Sequence, residues 1–250
     1  MPSSPGGGTD LYARILAQAL GESLKQQFVV ENRPGASGNI GAAAAAKAAP
    51  DGYTFLVSAN PALTVNPSLF RNLPYNAERD LTPVTRGVMA PMVLVVHPSL
   101  AAGSLGELVA LGKSEPGKTA FGSAGTGSPT YLGVRMLEEN TGARFIHVPY
   151  KGVGPAYQDL LGGQIKVMFP DVASAISHIR AGKLRALAVI LQRLGAEIAR
   201  SMRSGPVAEK LGAQALIPVF DTPGEFAASL KKERDGWAAF IRRNNIEPDQ

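Results

Sequence analysis

Two glycine-rich turns in the sequence could bind an anion, and each stands directly before a predicted helix. The first turn, SPGGGTD, places Gly6, Gly7 and Gly8 before Thr9 and Asp10. Glycine lets the backbone approach a ligand closely, and the free N–H groups at a helix N-terminus favour negative charge. The turn therefore predicts a site for a phosphate or a carboxylate, although a surface turn without a ligand has the same pattern.

Two nucleotide-binding motifs can be tested against this first turn. A P-loop requires a lysine directly after its last glycine, but the next lysine is Lys25. A dinucleotide fingerprint requires a third glycine, and Leu11 stands at that position. Neither motif is present, so only the backbone chemistry of the turn points to an anion.

The second turn, in FGSAGTGSPTYLG, has the same design. A predicted strand ends before it, and a serine at the predicted N-cap is followed by a proline at the first helical position. In open α/β sheets, ligands bind at such helix starts beyond the carboxyl ends of the strands. This turn is therefore a second candidate anion site, and it contains Ser123, Ala124, Gly125, Thr126, Gly127, Ser128 and Thr130.

The composition argues against several other classes of function. The net charge of +5 is spread thinly along the chain, which disfavours nucleic-acid binding. The chain has no cysteine, and its three histidines (His97, His147 and His178) lie in distant segments, so we interpret them as structural and expect neither a metal nor another cofactor. No apolar stretch is long enough for membrane insertion, and no nucleophile–base pair is evident, which disfavours an enzyme.

The hydrophobic periodicity predicts alternating helices and strands, a pattern typical of parallel sheets with helices on their faces. A helix is predicted over 10–25, and an alanine-rich helix lies between the predicted strands FVVEN and YTFLVSA. From MVLVVHP onward, helices alternate with the strands KTAFGS, RFIHVP, IKVMFPD and LRALAVI, and a final helix runs from Pro223 to about Asn244.

Several longer segments occur in an order that resembles one known family. They are SPGGGTD, VVENRPGASGNIGA, APDGYTFLV, NPSLF, LPYNAERDLTPV, FGSAGTGSPTYL, HVPYKGVGPAYQDLLGGQIKVMF and HIRAGKLRALAV. The chain resembles the periplasmic solute receptors of tripartite tricarboxylate transporters, also called Bug receptors. The resemblance covers roughly Pro5 to Val189, with a further match from LGAQ to IEPD near the C-terminus.

The resemblance implies a two-lobed α/β fold of the type II-like periplasmic binding proteins. Each lobe is expected to be a mixed sheet flanked by helices, with the ligand cleft between the lobes. Lobe 1 is predicted to comprise residues 1–92 and 204–250, and lobe 2 residues 93–203. The MVLVVHP segment is the predicted first crossing between them.

The resemblance also implies which residues contact a ligand. The backbone N–H groups and hydroxyls of both glycine turns are expected to bind carboxylates. Two further strand ends on the same side add Ser58, Ala59, Asn60, Phe169 and Asp171.

Other roles for some candidate residues remain open. Tyr150 and Lys151 could face the cleft or cap a strand. For Asp171 a helix cap is favoured over a ligand contact, for Arg33 a loop-ordering salt bridge over a carboxylate clamp, and for Asp10 support of the helix dipole.

The implied function is a receptor that captures a small organic carboxylate and delivers it to membrane transporter subunits, without a catalytic step. An alternative is a sensor subunit that presents its closed form to a signalling partner. The family is periplasmic, but Met1 leads directly into Pro2 without a signal peptide, so the sequence is expected to be cytosolic or a processed or truncated form.

One join departs from the family pattern. The family has a longer segment after the LRALAV strand, whereas Ile190 runs directly into LQRLGAEIARSM in this sequence. We expect a Cα separation of about 3.8 Å between Ile190 and Leu191, as in a trans peptide, and a helix from Leu191 to Met202.

Overall fold

A five-stranded mixed sheet forms the centre of the structure, a computed structural model that describes residues 1–190, 216–219 and 221–248. Its strands, in the spatial order β4-β3-β5-β2-β6, are β2 (Met92–Val96), β3 (Ala120–Ser123), β4 (Ile146–Pro149), β5 (Val167–Met168) and β6 (Arg185–Ile190). β3 runs parallel to β4 and β5, whereas β2 runs antiparallel to β5 and β6. The sheet is therefore mixed, as the two-lobed prediction requires, and not uniformly parallel as the alternation alone indicates.

Helices surround this sheet and form most of the remaining ordered structure. They are α1 (Gly8–Leu24), α2 (Asn39–Ala46), α3 (Pro61–Thr64), α4 (Asn66–Leu69), α5 (Leu105–Ser114), α6 (Pro129–Thr141), α7 (Val153–Leu161), α8 (Val172–Arg180) and α9 (Pro223–Arg243). A short 3-10 turn covers Ala36–Gly38, and two short strands, β1 (Val88–Met89) and β7 (Ile217–Pro218), pair antiparallel.

Side-chain caps define where several helices begin. The hydroxyl of Thr222 accepts from the backbone N–H of Glu225, and the Glu225 carboxylate accepts from the Thr222 N–H, which makes a capping box at the start of α9. At the C-terminal end of α6, Gly142 adopts a left-handed conformation (φ 77°) that a residue with a Cβ adopts only with strain. These local signals explain why sequence pattern alone placed both helices accurately.

The hydrophobic core lies on both faces of the five-stranded sheet. Along β2, Val93 and Val95 pack on one face with α7 and α8, and Leu94 and Val96 pack on the other with α5 and α6. A strand covered on both faces has a continuous apolar sequence, as MVLVVHP has. The C-terminal helix α9 joins the second face through Phe240, beside residues of α4.

Two of the predicted strands lie outside every ladder that the described residues form. They are FVVEN (28–32) and YTFLVSA (53–59), two segments for which the sequence predicts strands. In the structure, Val29 is 81% exposed, Tyr53 89% and Phe55 57%. Propensity identifies a segment suited to a pleated surface, but a strand also needs a neighbouring strand, so these two predictions are wrong. The predicted Ile190–Leu191 join and the helix 191–202 lie outside the described residues.

Two glycines inside helices should respond to substitution in opposite directions. A Cβ on Gly133 in α6 would overlap the ring of Phe169, whereas a Cβ on Gly236 in α9 would meet nothing within 4 Å. We expect Gly133→Ala to lower the free energy of unfolding by about 1–3 kcal/mol through overpacking. We expect Gly236→Ala to raise it by up to about 1 kcal/mol, because alanine is the better helix former. Urea denaturation of both variants measures this, and a Gly133→Ala protein as stable as wild type would contradict the packing.

Candidate functional site

Three helices begin at one edge of the five-stranded sheet. β3, β4 and β5 are parallel, so their carboxyl ends meet at this edge, and α6, α7 and α8 follow them after short loops. Ser128 caps α6 by accepting from the N–H of Tyr131, and Asp171 caps α8 by accepting from the N–H of Ser174 at 2.9 Å. The N-cap of α7 is Gly152, which has no side chain to accept a hydrogen bond.

The first glycine turn packs against the same edge and brings a fourth helix start to it. A Cβ on Gly7 would lie 3.2 Å from the Val153 side chain, and one on Gly8 would lie 2.6 Å from Oδ1 of Asp171. A Cβ on Gly152 would overlap the Ser4 side chain. The turn can approach α7 and α8 this closely only because these positions are glycines.

We call the region where the first glycine turn meets the starts of α7 and α8 the junction. Several backbone N–H groups there have no acceptor among the described residues. They belong to Gly7, Gly8 and Thr9 at the start of α1 and to Val153 and Gly154 at the start of α7. The first N–H groups of a helix have no partner within the helix, and each helix carries roughly half a positive charge at this end. The junction therefore offers neutral donors in a positive field, which suits a small anion.

Asp10 holds the first glycine turn in shape instead of facing the junction. Its buried carboxylate accepts from the N–H of Gly6 at 3.0 Å, from Nε of Arg14 at 3.1 Å and from Nδ2 of Asn32 at 3.0 Å. Burial alone opposes ionisation, but the hydrogen bonds from Arg14, Gly6 and Asn32 outweigh it and lower the pKa of Asp10. The charge is thus neutralised locally, and a carboxylate ligand is not repelled by an unpaired neighbour.

The second glycine turn is fixed by its own side chains. Thr130 Oγ1 accepts from the Ala124 N–H at 2.9 Å, and Ser123 Oγ accepts from the Gly125 N–H at 3.1 Å. Ser128 and Thr130 are also joined through their hydroxyls at 2.9 Å. Most of the side-chain oxygens predicted to bind a ligand therefore serve first to shape the loop.

The hydroxyl of Ser123 also lies 2.6 Å from Nε2 of His147, a residue for which the sequence predicts only a structural role. This hydroxyl therefore joins the Gly125 N–H and the His147 ring, and the tautomer of the ring decides which of Oγ and Nε2 donates. The imidazole packs against both Phe121 and Tyr131, with ring centroids 5.0 and 4.6 Å away. Ser123 is fully buried, so the pair positions the turn and does not present a nucleophile.

The remaining candidates near the end of β4 and β5 make structural contacts. Tyr150 donates its hydroxyl hydrogen to Oδ2 of Asp159 at 2.6 Å, and burial together with this carboxylate raises the pKa of Tyr150 to about 12. Lys151 is exposed, whereas Phe169 is buried in the core against α6. The favoured role of Asp171 as a helix cap is confirmed by its bond to Ser174.

The SAN segment and Arg33 also have partners away from the junction. Ser58 donates to the carbonyl of Ala59 at 2.8 Å, and Nδ2 of Asn60 donates to Oε2 of Glu233 on α9 at 2.6 Å. Arg33 pairs with Glu31 at 2.8 Å, which is the loop-ordering salt bridge expected from the sequence.

The described residues offer neither a metal site nor a membrane span. No group of three or more histidine or acidic side chains in that part of the chain is placed to hold a metal ion. Among the helices described, none combines the length and apolar character needed to cross a bilayer.

Comparison with known proteins decides the family. The sequence matches the "Tripartite tricarboxylate transporter family receptor" over residues 12–204. BugT of Bordetella pertussis is 36% identical to this chain, in an alignment that covers 99% of the chain and 88% of BugT. The chain belongs to this receptor family. Receptors of this family are periplasmic solute-binding proteins and not enzymes.

Solved structures of this receptor family share the fold. The periplasmic binding protein BugD superposes with a TM-score of 0.89 at 26% identity, covering 98% of this chain and 96% of BugD. An R. palustris protein solved with adipate superposes with a TM-score of 0.91 at 26% identity, covering 99% and 96% of the two chains. The predicted two-lobed α/β fold and the predicted receptor family are therefore confirmed.

The role of Asp10 predicts how the receptor responds to acid. A carboxylate with a lowered pKa in the folded state stabilises the fold above its ordinary pKa of about 3.9, and this contribution disappears as pH falls through the folded value. We expect Asp10→Asn to lower the free energy of unfolding by about 1–3 kcal/mol at pH 7, and by progressively less below about pH 4.

Denaturation curves between pH 2 and pH 7 measure this difference. Asp235→Asn is the control, because Asp235 pairs with Lys231 in a largely exposed i,i+4 salt bridge at 3.0 Å and should change stability by less than about 0.5 kcal/mol. A deficit for Asp10→Asn that stays the same across the whole pH range would show that the charge of Asp10 does not stabilise the turn.

Proposed function

We propose that this receptor captures a small organic carboxylate between its two glycine turns and delivers it from the periplasm to the membrane subunits of a tripartite tricarboxylate-type transporter. The observation that carries the proposal is the convergence of the starts of α1, α6, α7 and α8 at one sheet edge, where N–H groups of α1 and α7 have no acceptor within the part of the chain that the structure describes. The family supports transport as the purpose, since its receptors bind solutes in the periplasm.

The donors at the junction suit a small anion, and the family supports carboxylate as its class. The groups on offer are neutral backbone N–H groups, Asp10 is paired with Arg14, and Lys151 is exposed. Such N–H groups at helix starts can donate to each carboxylate group of a small organic acid. The R. palustris relative solved with adipate supports the same ligand class.

The proposed contacts divide between the two sides of the cleft. Gly7, Gly8 and Thr9 would donate to the ligand from lobe 1. The N–H groups of Gly127, Val153 and Gly154 would donate from lobe 2. The lobe boundaries, 1–92 with 204–250 against 93–203, belong to this proposal as well. A ligand held from both sides favours the closed arrangement by its differential affinity for that state.

Calorimetry tests the ligand class and the first turn together. We expect the wild-type chain to bind a linear dicarboxylate from the series malonate to suberate, and Gly8→Ala to weaken that binding at least tenfold, about 1.4 kcal/mol. The reason is that the added methyl group would lie 2.6 Å from Asp171 Oδ1 and would displace the turn from its donors' positions.

Gly224→Ala is the matched control for this experiment. Gly224 lies in the first turn of α9, where an added Cβ meets nothing within 4 Å, so affinity should be unchanged. Thermal melting of both variants shows whether they are folded. Binding by Gly8→Ala within twofold of wild type would contradict the site, and no binding of any mono-, di- or tricarboxylate by wild type would contradict the ligand class.

A further inference from the structure

The loop from Gly35 to Gly38 holds an unfavourable backbone conformation. All four residues have positive φ, at 117° for Gly35, 46° for Ala36, 53° for Ser37 and 89° for Gly38. The left-handed region is open to glycine but costs a residue with a Cβ about 1–2 kcal/mol. Ala36 and Ser37 therefore occupy this region only because surrounding contacts hold them there.

The contact that this conformation produces joins two distant parts of the chain. The hydroxyl of Ser37 donates to the carbonyl oxygen of Thr126 at 2.6 Å, across 89 positions of sequence. Thr126 belongs to the second glycine turn, whose residues precede α6, while Ser37 precedes α2. The bond therefore connects lobe 1 with the turn of lobe 2 that we propose binds the ligand.

A buried side-chain network fixes Ser37 from its other side. The carbonyl of Ser37 accepts from Nδ2 of Asn66 at 2.9 Å, and Asn66 is fully buried. The same Nδ2 donates to Oδ1 of Asn39 at 2.7 Å, and Oδ1 also accepts from the hydroxyl of Tyr75 at 3.0 Å. Because this network belongs to lobe 1 throughout, Ser37 reaches Thr126 from a rigid base.

The same bond decides where the next N–H group of the turn points. In a planar trans peptide the C=O and the following N–H point in opposite directions, so anchoring the Thr126 carbonyl on Ser37 directs the Gly127 N–H away from it. On the Ser37 side, a Cβ on Gly127 would lie 2.7 Å from Leu69 and 3.3 Å from Asn66 Oδ1, so α4 closes off that space. The Gly127 N–H has no acceptor among the described residues.

We propose that Ser37 is a positioning residue for ligand binding. The hydrogen bond from its hydroxyl to the Thr126 carbonyl, which we call the clasp, forms when the lobes close. It orients the Gly127 N–H toward the cleft. The proposal rests on the proposed function for the identity of the ligand, but the clasp itself is a contact between lobes that exists whatever the ligand is. Loss of a contact made only in the closed state raises the dissociation rate of the ligand and leaves the association rate almost unchanged.

Two substitutions separate the clasp from simple loop stability. Ser37→Ala removes the hydroxyl and keeps the backbone strain, whereas Ser37→Gly removes the hydroxyl and relieves the strain. We expect both variants to release adipate at least threefold faster than wild type, and Ser37→Gly to be no less stable to heat than Ser37→Ala. If the loop acted only through stability, Ser37→Gly would bind adipate at least as tightly as wild type.

Ser114→Ala is the matched control, because its hydroxyl also donates to a backbone carbonyl (Leu111, 3.3 Å) but stays within α5. Stopped-flow measurement of adipate dissociation should show no change for this variant. A less than threefold increase for both Ser37 variants, or the same increase for Ser114→Ala, would overturn the clasp.

A second measurement keeps the clasp testable if wild type does not bind adipate. The chain contains no cysteine, so Lys47→Cys after α2 and Lys113→Cys in α5 give one labelling site on each lobe for energy transfer. Without ligand, the mean distance between the two labels should be longer in the Ser37→Gly variant than in the Ser114→Ala variant. Identical distance distributions would overturn the clasp, whereas failure of wild type to bind any carboxylate would overturn only the proposed function.

Discussion

The N–H groups at helix starts that have no acceptor among the described residues are the constraint on which the proposed site depends. Each helix begins with donors that its own backbone cannot satisfy, and a parallel strand arrangement brings several such starts to one edge. In this receptor α6, α7 and α8 begin at that edge, and Gly7, Gly8 and Gly152 admit close contact between the first glycine turn and the starts of α7 and α8. A buried donor without an acceptor costs free energy, and in the proposed function a small anion supplies the acceptors that the described residues do not.

The acidic residues beside this junction illustrate how an anion site tolerates negative charge. Asp10 uses both oxygens on Gly6, Arg14 and Asn32, and Asp171 is tied to the N–H of Ser174. Each carboxylate therefore stabilises a turn or a helix start before a ligand arrives. Without such local pairing, two negative charges next to the donors would oppose carboxylate binding by repulsion. The donors stay available because the acids are occupied elsewhere.

Local sequence patterns predicted most of the helices and strands, but they did not predict the contacts between distant segments. Capping residues and glycines placed α6 and α9 to within a residue or two, because those signals act over a single turn. The strand predictions at 28–32 and 53–59 failed, since pairing depends on a partner strand that propensity cannot identify. Likewise Ser37 meets Thr126 across 89 positions, and no local pattern indicates that meeting.

The backbone strain of the loop from Gly35 to Gly38 and the ligand contacts proposed for the glycine turns would both affect the free energy of lobe closure. The proposed clasp depends on left-handed backbone at Ala36 and Ser37, which costs free energy, so it would stabilise a closed state less than the same hydrogen bond on relaxed residues. In the proposed function, a ligand that supplies acceptors for the N–H groups at the helix starts would add to the free energy of closure. A very stable empty closed form would keep a ligand away from these donors. A weak clasp therefore fits the proposed receptor, which has to open before it can bind its solute.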